Sequence, residues 1–257
     1  MLDAERRQQI VSFIEENNGA TVAELSRQFG VSEATIRRDL LLLSRKGLIE
    51  RAHGGGVPRR MRHTQGFPEP PLLSRAALQV EEKRRIGRAA AQYVDDGDSI
   101  MVSGGTTTAE MIPYLADKRD LTVITSALNI ATLLASYPNI TVIVLGGVLR
   151  HGHLSLLGVL TEEALENIRA DKLFMGTPAI HADYGLSADD MAEVQVDRAL
   201  MDASREVIVL ADHTKFGRVA TIRVAPIRRI RRVITDKAAP QDDIAALREQ
   251  GIKVDVV

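Results

Sequence analysis

Apolar residues in the first sixty positions recur at the interval of an α-helix. Val22, Leu25 and Phe29 share one helical face, and Ile36, Leu40 and Leu43 share another. Thr21 and Glu24 have the spacing of a capping box, Gly30 permits the bend that ends the first helix, and Ser32 is placed to cap the second. From residue 79 onward the pattern changes to short apolar runs at 99–102, 121–125, 140–145, 172–175, 207–211, 232–235 and 252–256. Helical stretches at 80–94, 107–115, 128–135, 162–168, 192–203 and 244–249 fall between most of them. Strand and helix in alternation predict an α/β domain with a largely parallel sheet and helices on its faces. Between the two patterns, Pro58, Pro68, Pro70 and Pro71 interrupt a polar, basic stretch without a sustained period. The expected organisation is a small domain over 1–57, a linker over 58–78 and a larger domain over 79–257.

The small domain carries a second signal on top of its hydrophobic stripes. At about 100° per residue, Arg38 projects opposite Ile36, with Arg37 at its flank, so an apolar face is backed by a basic one. The segment 48–51 followed by His53, Gly54, Gly55 and Gly56 predicts a wing. Together these make a winged helix-turn-helix, a fold that reads duplex DNA with its second helix. Ser32, Glu33, Thr35, Arg37 and Arg38 are expected in the major groove, with Arg51, His53 and Gly54 on the wing against the phosphate backbone. Leu41 and Leu42 also project outward and are expected to pack on the wing or on another subunit. The competing reading is a three-helix domain whose arginines only solvate it. Charge favours DNA: residues 32–62 hold eight Lys and Arg against three carboxylates, whereas the whole chain has a formal net charge of −1. The linker arginines serve equally well as phosphate contacts or as a solvated tether.

Composition then narrows the setting. A chain of 257 residues accommodates one small and one medium domain. The absence of cysteine excludes a disulfide framework, a thiolate metal site and a cysteine nucleophile. No apolar run approaches the roughly 20 residues of a membrane span, and the first residues are charged and amphipathic, so the expectation is a cytoplasmic protein without a membrane partner.

In open parallel sheets, ligands sit at the carboxyl ends of strands. Ser103, Gly104, Gly105, Thr106 and Thr107 follow the first predicted strand and open a helix, an arrangement suited to cradling an anion such as a phosphate. Thr125 and Gly147 end or follow the next two strands, and Asp212 and Lys215 follow a later one. These residues form the expected effector site, with no cofactor and no catalytic or metal-binding group assigned.

Residues 33–40, EATIRRDL, with Gly47-Leu-Ile49 and His53-Gly-Gly55 downstream, closely resemble the signature of the DeoR family of bacterial transcriptional regulators. Glu82-Lys83, Gly105-Thr106-Thr107, Gly146-Gly147, Gly185-Leu-Ser187, Asp212-His-Thr-Lys215 and Ile234-Thr-Asp236 continue the resemblance in the family's order. Because one recognition helix covers too few base pairs for operator specificity, a homo-oligomer, dimer or tetramer, is expected. The resemblance implies a repressor of a carbohydrate-use operon. It also implies operator DNA as a partner and a C-terminal sensor similar in fold to ribose-5-phosphate isomerase, binding a sugar-derived, phosphorylated metabolite. Two positions depart from the family pattern: Ser103 stands where relatives usually carry Asp, and Asp197 where they commonly carry Lys. A non-phosphorylated or differently placed anionic ligand therefore stays open.

Other candidates point elsewhere. His151 and His153 have a spacing that binds metal but lack a third ligand, so solvated imidazoles are expected. The basic run 228–232 is expected at a sheet edge or a subunit contact. The rival function is a sugar-phosphate isomerase with an appended DNA-binding domain, in which Asp212 and Lys215 would act as base and polarising cation. An architectural DNA binder without a small ligand leaves the larger domain unexplained.

Overall fold

The computed structural model describes residues 3–17, 19–45, 49–52, 54–58 and 69–257. They form two compact units, 1–64 and 65–257.

The first unit runs α1 (Asp3–Glu16), β1 (Ala20–Thr21), α2 (Val22–Phe29), α3 (Glu33–Arg45), β2 (Ile49–Ala52) and β3 (Gly55–Pro58). The three strands form an antiparallel sheet in the order β1-β3-β2. The predicted stripes meet in one core, where Val22, Leu25, Ile36, Leu40 and Leu43 join Ile10, Ile14 and Ile49. The local signals are also present. Thr21 Oγ1 accepts from Glu24 N at 3.2 Å while Glu24 Oε2 accepts from Thr21 N at 2.8 Å, closing the capping box. Gly30 ends α2 in the left-handed conformation at φ 64°. Ser32 Oγ accepts from Thr35 N at 3.2 Å at the head of α3. The wing glycines are explained by the fold: a Cβ on Gly55 would lie 2.2 Å from the Ala20 carbonyl oxygen, so the wing strand is pressed against β1.

Charge is arranged differently from a simple count. Asp39 is buried in α3 and accepts from Arg6 Nε at 2.8 Å and Arg7 Nε at 2.6 Å, both on α1. Its carboxylate belongs to the packing of α1 on α3 and does not offset the exposed arginines.

The second unit begins with two helices, α4 (Leu72–Ala76) and α5 (Val80–Ala91). It continues through β4 (Ser99–Val102), α6 (Thr106–Ala109), β5 (Thr122–Thr125), α7 (Leu128–Leu134), β6 (Thr141–Val144), β7 (Val148–Arg150), β8 (Ser155–Leu157) and α8 (Val159–Glu166). Then come β9 (Ala170–Gly176), β10 (Ala179–His181), β11 (Gly185–Ala188), α9 (Met191–Asp202), β12 (Ser204–Leu210), β13 (Ile222–Ala225), β14 (Arg232–Thr235), α10 (Gln241–Glu249) and β15 (Lys253–Val256). Seven strands pair in parallel in the order β15-β14-β12-β9-β4-β5-β6. All seven apolar runs became strands of this sheet. Both faces are covered, as a parallel sheet requires: Ile100, Val102, Phe174, Ile208 and Ile234 point to one core, and Met101, Leu173, Met175, Val207 and Val233 to the other. The hairpin β7-β8 and the antiparallel sheet β10-β11-β13 have runs too short for a periodic signal and were not expected.

Residues 69–78 differ from the predicted tether. They are built into the second unit: Leu72 is buried, and Lys83 Nζ donates to the carbonyls of Arg75 at 2.6 Å and Leu78 at 2.5 Å. Pro70, one of the prolines that suggest a linker, lines the cavity instead. Residues 59–68, with the linker arginines, lie outside the described residues.

Burial on its own would raise the Asp39 carboxyl, but the hydrogen bonds and charges of Arg6 and Arg7 outweigh it and hold the group below the ordinary range. Asp39→Ala removes the buried carboxylate that Arg6 and Arg7 share and should destabilise the first unit by about 3–5 kcal/mol. Calorimetry of the full chain should show its transition move down while that of the second unit stays. Because the folded carboxyl titrates below its unfolded value of about 3.9, this contribution is present above about pH 4 and is lost as pH falls through the folded value.

Candidate functional site

The strand order reverses between β4 and β9, because the chain builds outward to β5 and β6 and then returns to the other side of β4. That switch point opens a crevice at the carboxyl ends, and a cavity of about 300 Å³ lies there. Ser103, Gly104, Gly105, Thr106 and Thr107 line it from β4, Thr177 from β9, and Asp212, Thr214 and Lys215 from β12.

The β4 loop presents a run of unanswered backbone donors. Ser103 Oγ accepts from Gly176 N at 3.2 Å, which ties the loop across to β9. The next four backbone N–H groups, from Gly104 to Thr107, find no acceptor among the described residues. The helix that follows, α6, has only four residues, so its dipole adds little and the loop's own N–H groups carry the effect. A Cβ on Gly105 would stand 3.0 Å from Thr108 Oγ1, and one on Gly104 would stand 3.2 Å from Ala127 Cβ, so both glycines are fitted to the turn.

The Asp-His-Thr-Lys run after β12 forms one braced turn. Asp212 Oδ1 accepts from Thr214 N at 2.9 Å and from the Thr214 hydroxyl. His213 N donates to Asp236 Oδ2 at 2.7 Å, joining this turn to the end of β14. Lys215 is thereby carried to the cavity, where its Nζ lies 3.8 Å from Glu69 Oε1.

Residues not predicted for the site complete it. Glu69 pairs with Arg75, and both line the cavity from the segment read as a linker, with Lys83 joining them from α5. Lys83 is buried, which lowers its ammonium pKa from the ordinary lysine value, while Asp212 works in the other direction. No periodicity reveals a buried lysine of this kind. Thr177 follows a predicted strand, and the strand-end rule applied there would have found it. Glu193 and Asp197 line the cavity from α9. Glu193 pairs with Arg150 on β7, and burial raises its carboxyl, with Asp190 adding to the effect. Gln79, also in the lining, holds a left-handed conformation at φ 48°.

Two expected residues do not line the cavity. Thr125 is buried and uses its hydroxyl to bridge β4 and β5, donating to the Val102 carbonyl at 2.7 Å and accepting from Ala127 N at 3.1 Å. Gly147 serves packing: at φ 148°, a Cβ there would lie 2.4 Å from Thr161 Oγ1 and 2.8 Å from the Leu157 carbonyl. The histidine pair is also not as expected. His153 is buried beside Arg75 and Glu69, and burial lowers its pKa, whereas His151 is exposed. No cluster of three metal-binding side chains occurs among the described residues. Arg232, in the run expected at a sheet edge or a subunit contact, lies on β14 inside the sheet, where it packs over the Tyr93 ring at 4.2 Å and pairs with Asp255 at 2.7 Å.

On the first unit, Ser32, Glu33, Thr35, Arg37 and Arg38 occupy the outer start of α3. The hydroxyls of Ser32 and Thr35 lie 2.9 Å apart, and Arg37 pairs with Glu33 at 2.6 Å. Arg38 is exposed and unpaired among the described residues. Leu41 is 37% exposed. Arg51 lies on β2 and Gly54 is exposed at the wing turn with φ 84°, its carbonyl accepting from Val22 N at 2.8 Å. His53 lies outside the described residues.

Comparison with known proteins agrees with both halves of this description. The DeoR-like helix-turn-helix domain matches residues 6–58, and the DeoR C terminal sensor domain matches residues 78–237. The chain is 31% identical over 257 residues to the glycerol-3-phosphate regulon repressor of Escherichia coli (strain K12), covering 100% of both chains. It is 32% identical over 256 residues to the HTH-type transcriptional regulator GolR of Listeria innocua, covering 100% of this chain and 99% of that one. It is also 30% identical over 249 residues to the HTH-type transcriptional repressor CsqR of Escherichia coli (strain K12), covering 97% and 94%. Among solved structures it is similar to a D-ribose-5-phosphate isomerase in complex with phospho-erythronic acid, at 17% identity and TM-score 0.41, covering 53% of this chain and 54% of that one.

Proposed function

The chain belongs to the DeoR family of DNA-binding transcriptional regulators, and on that premise we propose that it represses a carbohydrate-use operon and leaves its operator when a phosphorylated sugar or polyol fills the cavity of the second unit. The observation that carries the effector class is the run of four unpaired backbone N–H groups from Gly104 to Thr107, facing a cavity that also holds Lys215 and Lys83. Backbone donors and ammonium groups that converge on one small volume suit a phosphate. The relative named for the glycerol-3-phosphate regulon supports the same class. The enzymatic alternative needs a free base, and Asp212 already accepts two hydrogen bonds from Thr214. The ligand acts by binding the DNA-incompetent arrangement more tightly than the competent one.

Reading an operator also takes more than one recognition helix, and a second copy of the chain supplies it. The edge strand β6 supports this. Parallel strands are ordinarily covered, yet Ile143 is 40% and Val144 46% exposed, and Val148, Val159 and Leu160 extend the apolar surface beside them. Thr161 Oγ1 donates to the Gly146 carbonyl at 2.5 Å, which holds the start of α8 against this edge. We assign the surface to a homo-oligomer contact.

Three outcomes test this reading. Arg38→Ala should weaken operator binding by about 1–3 kcal/mol, as for one lost base contact, in fluorescence anisotropy; unchanged affinity would mean that another face of α3 meets the DNA. Lys215→Ala should keep operator binding near wild type and abolish release by sugar phosphates, giving a repressor that stays silent in the presence of its inducer. Release at the same ligand concentration would move the pocket elsewhere. In sedimentation at micromolar concentration, the wild type should be at least a dimer and Val144→Lys should shift it toward monomer, whereas a monomeric wild type bound singly to its operator would remove the oligomer claim.

A further inference from the structure

The charged side chains around the cavity are nearly all answered by partners. Glu69 is held by Arg75 and Lys215, Glu193 by Arg150, and Asp212 by Thr214, while Lys83 donates to two carbonyls. Asp197 is the exception: it lines the cavity from α9 and has no hydrogen bond or ion pair among the described residues. A second polar group in the same lining is also unanswered. Ser155 on β8 is 6% exposed, and its Oγ has no hydrogen-bond partner.

These two groups belong to one corner. Ser155 faces Arg150 across the β7-β8 hairpin. Arg150 holds Glu193, which lies one helical turn before Asp197 on α9. Arg150 also contacts Asp190 at 3.4 Å, so one guanidinium answers two carboxylates before Asp197 is counted. The corner is therefore short of positive charge, and its unanswered atoms are oxygens with lone pairs. The adjoining loop from Gly104 to Thr107 presents N–H donors instead.

Resting on the reading of the cavity as a sugar-phosphate site, we propose that the effector is an amino sugar phosphate, its phosphate on the Gly104–Thr107 loop and its ammonium group received by Asp197 and Ser155 Oγ. An ammonium group brings three donors and no acceptor, which complements two acceptor oxygens; a hydroxyl in its place supplies one donor and no charge. Burial, with Glu193 and Glu69 nearby, raises the Asp197 carboxyl well above the ordinary range, so the empty corner favours a proton and a ligand cation replaces it.

The test uses the full chain, with glucosamine, galactosamine and mannosamine 6-phosphates against glucose, galactose and mannose 6-phosphates. Binding is read by calorimetry and by operator release. At least one amino compound should bind ten-fold or more tightly than its parent. Asp197→Asn, close in shape, should bring that pair within two-fold of each other, and Ser155→Ala should narrow the gap. Lys215→Ala should weaken both members alike. Equal affinity for every amino and parent pair, or a preference that survives in Asp197→Asn, overturns the proposal while leaving the phosphate site standing. If no phosphorylated sugar binds, the phosphate reading fails and this inference falls with it.

Discussion

A sheet of seven parallel strands brings every carboxyl end to the same edge, where backbone donors and acceptors run past the ladder and need new partners. Most of the second unit's polar side chains at that edge meet this need. Ser103 takes the N–H of Gly176, Thr125 bridges β4 to β5, Asp212 caps the turn after β12, and Asp236 anchors His213. At the β4 loop four successive N–H groups go without an acceptor among the described residues, and that is also where the cavity lies. The site thus lies at a gap in the hydrogen bonding of this edge, positioned by the reversal of strand order next to β4.

The first unit is organised around the opposite solution. Its charged group is drawn inward: Asp39 sits under α3 with Arg6 and Arg7, and the outer face of the helix is left to Arg37 and Arg38. The result is that Asp39 is answered inside the unit, and Arg38 is left without a carboxylate among the described residues on the outer face beside the Arg37–Glu33 pair. This concentrates positive charge on the exposed face more strongly than the composition of the segment suggests.

How much of this the sequence disclosed depends on the range of the interaction. Elements with a long period or a local cap were legible: α2 from Thr21, Glu24 and Gly30, α3 from Ser32, and each parallel strand from its short apolar run. The loop from Ser103 to Thr107 and the Asp212 turn were legible because they follow such strands. What escaped was set by contacts across the chain. Thr125 and Gly147 stand at strand ends, yet neighbouring backbone claims them before any ligand does. Lys83, Glu69 and Arg75 enter the site through hydrogen bonds between the start of α5 and the turn around α4, and proline-rich polarity there gives the signature of a tether. Asp197 was visible as an unusual residue, but its want of a partner appears only once Glu193 and Arg150 are in place.

The ammonium of Lys83, tied to the carbonyls of Arg75 and Leu78, also fastens the first described residues of the second unit to its cavity wall. Residues 69–78 are spent on the cavity wall, so they add nothing to the reach of the connection. Each residue released from that wall would lengthen it by up to about 3.3–3.6 Å. For paired reading heads on one operator, a longer leash dilutes the second head around its half-site, and effective concentration falls steeply with length once the span is exceeded. In the proposed homo-oligomer the lysine would act as a length stop, and avidity for DNA would follow how tightly a cavity wall is fastened.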